Sequence, residues 1–344
     1  MRSLNREDSL LPRSMANDRT KRFAELAVIA IGFLLLAAAI KMHWVTNFMI
    51  FCIFALSYDL LYGYMGHLSF GHMLYFGTGA YGTALWLVYG NNNSLMGLMA
   101  GLVVTALCSG LVGLVVVRNR GASFALINMA FNEIGYFLVT SALVSLTRGA
   151  DGLSCTAGQM FGFMNFYNDT HAFVFVLLML LFVFWFLRML TRSSYGVLIR
   201  SIKENEKRTQ FLGYNTFAYK WITFVLSSVL AGFSGGIFAL IQGFVSPGSI
   251  SPFGNVDVIF AVLIGGAGNL YGALIGGNVL MVIKNFLPTL IPGLEKIASM
   301  KLPQWEMWLG IILLIIVFAL RQGIFGFLRR LWSTLRSEAM KKPA

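Results

Sequence analysis

The sequence predicts an all-α polytopic integral membrane protein: about ten transmembrane helices, both termini cytoplasmic, arranged as an inverted repeat with glycine-broken helices. Three observations carry that expectation. The chain is 57% hydrophobic and only 12% charged, about half the charged share of an ordinary soluble domain. Apolar runs long enough to cross roughly 30 Å of hydrocarbon as helices recur from end to end, and they are continuous rather than alternating, which favours helices over a barrel. The bases lie at the ends of these runs: of 26 Lys and Arg, six fall in residues 1–22, six in 191–220 and six in 321–344.

The first run, 24–40, follows a polar head with no small-residue cleavage site and is expected to be a retained span. Further spans are expected near 44–62, 68–89, 95–117, 122–145, 172–190, 219–240, 256–267, 272–287 and 305–320. An even count returns the basic C-terminus to the side of the basic N-terminus, as the positive-inside rule asks. The resulting single domain has a cytoplasmic tail (1–22), a transmembrane body (23–320) with a cytoplasmic loop (191–218), and a basic tail (321–344). The net charge of +12 does not mark a nucleic-acid binder, because no stacking aromatics or recognition helix accompany the basic clusters. Cys52, Cys108 and Cys155 lack ligand spacing and are expected to pack.

Two stretches are broken by glycine. "GYMGHLSFGHMLYFGTGAYG" carries Gly66 and Gly71 around Ser69 and His72, and "GGAGNLYGALIGG" carries Gly265, Gly266 and Gly268. Glycine-interrupted segments in two halves of a chain point to a transporter's pathway; the alternative is close helix packing through small residues.

Catalytic machinery is not legible. No lysine follows a glycine, so the phosphate-cradling G-x-x-x-x-G-K-[ST] loop is absent. No H-E-x-x-H or paired-cysteine spacing supports a metal site, and no G-x-S-x-G elbow occurs. The chain is expected to be a transport subunit rather than an enzyme, with no cofactor of its own.

Intramembrane charges are functional candidates by default. Asp59 lies near the inner end of the second span, Asp257 at the outer start of the eighth and Lys284 toward the outer end of the ninth. Asp59 and Lys284 have snorkelling or pairing as their bland explanation. Glu133 is flanked by Asn128 and Asn132, which share a helix face at i and i+4 while Glu133 cannot join them. This group either lines an aqueous pathway or makes interhelix hydrogen bonds.

The densest internal charge is "GVLIRSIKENEKRTQFLG". As a helix over 195–209 it puts Leu198, Ile199 and Ile202 on one side and Arg200, Glu204, Lys207 and Arg208 on another. Arg200 with Glu204, and Glu204 with Arg208, form i,i+4 pairs. The helix is expected to end near Gly213. Its mixed charge suits a protein groove better than anionic lipid.

These residues carry a resemblance. "TRSSYGVLIRSIKENEKRTQFLGYNTFAYKWITFVLSSVLAGFSGGIFALIQGFVSPGSIS", "VIFAVLIGGAGNLYGALIGG", "ALSYDLLYGYMGHLSFGHMLYFGTGAYGTAL" and "TRGADGL" together resemble the LivM-type permeases of branched-chain amino acid ABC transporters over roughly residues 50–287. The resemblance implies a bacterial inner-membrane importer subunit moving a branched-chain or other hydrophobic amino acid. Similar permeases carry urea, short amides or aromatic carboxylates. It implies as partners a homologous permease, two ATPases that bind ATP and Mg, and a periplasmic binding protein. Tyr195, Gly196, Arg200, Ile202, Glu204, Asn205, Glu206, Arg208, Leu212 and Gly213 match the family's loop and would be the helix that docks on an ATPase. Asp59 stands where an asparagine is common in the family, His67 where glutamine is frequent, and Arg148 and Ala150 where small glycines are.

Overall fold

A computed structural model describes residues 13–158, 160, 166–298, 305–319, 323–327 and 330, with the side chains of 13–23 and 291–298 and a few of 305–319 left undescribed. The helices are α1 (Arg13–Ala39), α2 (Met42–Asp59), α3 (His72–Tyr89), α4 (Ser94–Val116), α5 (Gly121–Phe137), α6 (Val144–Thr147), α7 (Asp169–Arg192), α8 (Ser194–Phe211), α9 (Thr216–Gln242), α10 (Gly254–Gly265), α11 (Leu270–Ala298) and α12 (Trp305–Ala319). Wider π-type turns extend α2 over Leu60–Tyr64 and α5 over Leu138–Ala142. A two-residue antiparallel pair, β1 (Leu153–Ser154) with β2 (Phe244–Val245), is the only sheet among the described residues.

Local chemistry sets several helix starts. Asn93, Asn168, Ser193 and Asn215 each accept a first-turn backbone N–H at the beginning of α4, α7, α8 and α9, satisfying donors that helix geometry leaves unpaired. α2 runs through the centre with almost every side chain buried. Around it α3, α4 and α9 approach through glycine: a Cβ on Gly79 would overlap the backbone of Gly232, and one on Gly82 would lie 2.8 Å from the Gly101 Cα. Without a hydrophobic force between helices in lipid, such close backbone contact supplies the packing. Arg188, nearly buried, ties α7 to Glu25 on α1.

Six helical stretches among the described residues are long and apolar enough to cross a membrane, and Ala24–Ala39 and Gly254–Gly265 are shorter apolar helices. Two expected spans are shaped differently. The run read as 68–89 is helical only from His72, because 65–71 is non-helical chain that passes Gly66 at φ +81°. α10 has 12 residues, about 18 Å of helix, too short to cross alone. It is entered by a short 3-10 helix, Pro247–Ile250, after β2, and its first turn meets the first turn of α3, where Asn255 Oδ1 accepts the Met73 N–H at 2.8 Å. α1 begins at Arg13, inside the stretch expected to be a tail. Of the expected tail 321–344, only 323–327 and 330 lie within the described residues.

Candidate functional site

α8 is held by its apolar face, with Gly196, Ile199 and Ile202 buried. Tyr195 anchors its start on α9, 2.7 Å from Thr223 Oγ1. Arg200 does not reach Glu204. Its guanidinium turns back to the Gly196 and Thr191 carbonyls and lies 5.5 Å over the Tyr64 ring. The single helix expected over 195–209 is broken at Asn205, which has φ −158° and ψ 96°. Asn205 Oδ1 accepts the Arg208 N–H at 3.0 Å, so this residue caps a second, shorter helix, the local bond that makes asparagine a helix starter rather than a helix former. The break separates Glu204 from Arg208, and neither expected i,i+4 ion pair forms.

Just past the break, Glu206 faces inward. It pairs with Arg120 at 2.9 Å and with Lys220 at 2.9 Å, and accepts from Thr216 Oγ1 at 3.2 Å. Burial pushes its carboxyl up, but the hydrogen bond and charge of Lys220, with Arg120 and Thr216, outweigh it and hold the group below the usual glutamate range. Around this anchor Glu204, Lys207 and Arg208 are exposed while Thr209 is buried and Gln210 donates to Thr216 Oγ1; past them Phe211 is 90% exposed and Leu212 71%, and Gly213 turns the chain at φ +89°. An exposed aromatic and an exposed aliphatic side chain thus stand side by side at the end of α8, near exposed charges.

On its other side α8 grips the glycine-broken segments. Lys203 lays its stem over Gly66, where a Cβ would sit 2.7 Å from Lys203 Cγ, and donates to the Gly63 carbonyl at 2.7 Å. A Cβ on Gly63 would overlap both Asp59 Oδ1 and the Gly268 nitrogen. The Gly268 N–H donates to fully buried Asp59 at 2.7 Å, and Gly265 is pressed against the Gly272 carbonyl just before the Gly266 turn. The two glycine segments thus meet each other, with Asp59 as the clasp and Lys203 linking them to α8.

Deeper in, Asn128 and Asn132 lie fully buried on one face of α5. Asn128 donates to Ser69 Oγ at 2.6 Å and accepts from Tyr75 at 3.0 Å, while its backbone abuts Gly71. Asn132 donates to the Ile250 carbonyl at 2.7 Å and accepts from Asn255 at 2.8 Å. The pair staples α5 to the non-helical chain before α3 and to the 3-10 turn and first turn of α10. His72 stacks on Phe54 and lies 3.0 Å from Ser57 Oγ. Glu133 projects from the opposite, exposed face of α5 with Leu126, Met129 and Phe137, apart from the asparagines. Lys284 pairs with Asp257 at 2.6 Å, remote from Asp59.

Lys203, Phe211, Lys220, Arg120 and Asn255 were not singled out as site residues. Lys203 and Phe211 sit in the charged loop itself, whereas no local pattern marks the other three. Among the described residues no three His, Cys, Asp or Glu side chains are placed to hold a metal.

The family described as "Branched-chain amino acid transport system / permease component" matches residues 40–320. The chain is 27% identical to the high-affinity branched-chain amino acid permease protein LivM of Salmonella typhimurium, over 76% of this chain and 67% of that protein. It is 25% identical to LivH of Escherichia coli K12, over 67% and 79%. It is 26% identical to the nucleoside ABC transporter permease protein NupC of Lactococcus lactis, over 62% and 69%. No solved structure matches the chain.

Proposed function

We propose, from the premise that the chain belongs to the branched-chain amino acid transport permease family, that it is the membrane subunit of a bacterial ABC importer carrying a branched-chain or other hydrophobic amino acid. It works in the inner membrane, surrounded by lipid, with both termini and α8 cytoplasmic. A homologous permease completes the membrane unit, as the match to both LivM and LivH supports. Two separate ATPases supply the energy from ATP with Mg, and a periplasmic binding protein delivers the solute.

One observation carries the reading. α8 presents Phe211, Leu212 and exposed charges outward while Lys203 holds Gly63 inward. A force applied at the tip is therefore delivered to the place where the glycine segments meet. Glycine lets helices slide at that junction, and a shift there re-sets the ends of α2 and α10.

Co-purification with the candidate ATPases tests this, comparing wild type, Phe211→Asp/Leu212→Asp and Glu204→Arg/Arg208→Glu. The expected result is at least tenfold loss of ATPase retention and of substrate-stimulated ATP hydrolysis, most in the first variant, with membrane insertion unchanged. Full retention and activity in both would make α8 a solvated connector and move the ATPase contact to another part of the chain, whereas uptake by a chain that retains no ATPase in wild type would favour an autonomous carrier.

A further inference from the structure

At the end of the molecule opposite α8, a cavity of about 510 Å³ opens among α2, α3, α9, α10 and α11. Its size falls within the roughly 300–1,000 Å³ of small-molecule sites. Phe51, Phe54, Phe76 and Phe238 wall it, and Met73 with Gly254 forms the end nearer α8, where a Cβ on Gly254 would lie 2.7 Å from the Met73 methyl carbon. The mouth carries Asn47 and Gln242, joined at 2.6 Å.

Among the described residues one ion pair lines it, Asp257 with Lys284 at 2.6 Å, and both side chains keep about a third of their surface open, at 31% and 30%. The pair is neither sealed into the packing nor turned away from the cavity, so both charges are open to a ligand beside five phenylalanines. We propose that the cavity is a solute subsite that reads a zwitterionic α-amino acid with an apolar side chain. This rests on the proposed function and places the solute within this subunit.

The chemistry follows from complementarity. An α-amino acid carries its ammonium and carboxylate about as far apart as the two charges of a contact ion pair. Laid antiparallel on Asp257 and Lys284, each ligand charge meets its opposite and no protein charge loses its partner. A lone carboxylate or a lone amine competes for one member of the pair and leaves the other uncompensated, and a neutral amide offers only a dipole. The phenylalanine wall accepts an apolar side chain, whereas a charged one would be desolvated against it.

The test is binding of tritiated L-leucine to the purified full chain in lipid nanodiscs, with competition by 4-methylpentanoate, L-leucinamide and isovaleramide. Unlabelled L-leucine is expected to compete at least tenfold better than any of the three. Asp257→Asn/Lys284→Gln removes both charges together, so no unpaired charge remains to unfold the protein, and is expected to weaken L-leucine at least tenfold. Phe76→Trp, which fills the cavity without touching the pair, provides a second variant and is expected to do the same. Absence of saturable binding in wild type, equal competition by a singly charged analogue, or unchanged binding in both variants overturns the subsite. Cellular uptake separates it from the functional reading. Uptake with an unchanged KM in both variants removes the subsite and leaves the importer, whereas leucine binding by a chain that retains no ATPase removes the importer and leaves the subsite.

Discussion

At Gly63 a single missing methyl group keeps three elements together. The Asp59 carboxylate and the Gly268 backbone occupy the space a side chain would need, and overpacking of this kind costs about 1–3 kcal/mol. Gly63→Ala is therefore expected to insert and assemble, to melt several degrees lower in detergent, and to lose at least tenfold in uptake. Gly32→Ala, where nothing lies within 4 Å of the new Cβ, is the neutral control; equal melting and uptake in the two variants would remove the role assigned to the junction. Glu206 gives a pH dependence. Its partners hold its pKa on folding below the ordinary glutamate range, so its contribution is fully present above that range and is lost as pH falls through the lower folded value. The Glu206→Gln variant is expected to melt lower than wild type at pH 7, by about 2 kcal/mol for a lost charged hydrogen bond to nearly buried Lys220. The gap should close as the pH falls below about 4.5, and a gap constant with pH would show that the carboxylate charge is not what holds α8 to α9.

α8 shows how far the elements were legible. Its amphipathic face was readable, because Ile199 and Ile202 recur at helical spacing and are buried, with Leu198 beside them partly so. Its break at Asn205 was not, because the next residue is drawn to Arg120 and Lys220, partners set by tertiary packing. Asn128 and Asn132 were readable as one face for the same periodic reason, but their partners Ser69 and Asn255 lie 59 and 123 residues away. The glycine segments were legible as special and not as a pair in contact. The shortness of α10 was not read as an interruption because a half-length apolar helix has the composition of a full span. The break itself is testable: Asn205→Ala removes the cap on the short second helix, worth about 1 kcal/mol. It is expected to lower substrate-stimulated ATP hydrolysis several-fold while ATPase retention falls little, since Phe211 and Leu212 remain in place. Unchanged stimulation would mean that the capped conformation plays no part in coupling.

Taken as a whole molecule, the chain leaves one face that lipid alone serves poorly. α5 turns Leu126, Met129 and Phe137 outward with Glu133 among them, and a carboxylate exposed to hydrocarbon at mid-helix costs about 2.5–3.5 kcal/mol on insertion scales. The same helix, on its buried face, staples the segments leading into α3 and α10 through Asn128 and Asn132. If the partner permease of the proposed function seats on α5, it would shelter Glu133 and receive any movement of those segments, which would join assembly and gating in one helix. Glu133→Leu separates the two environments by sign. Against lipid the substitution removes a penalty and raises stability with uptake intact; against a partner it removes a polar contact, and uptake is expected to fall at least tenfold while ATPases are still retained on α8. Ala130→Cys, one turn before Glu133 on the same exposed face, then supplies the positional evidence. It is expected to cross-link to the homologous permease under mild oxidation, over a low background because Cys52 and Cys155 are buried and Cys108 is partly so. No cross-link, together with undiminished uptake by Glu133→Leu, would assign α5 to lipid and move the subunit interface to another face.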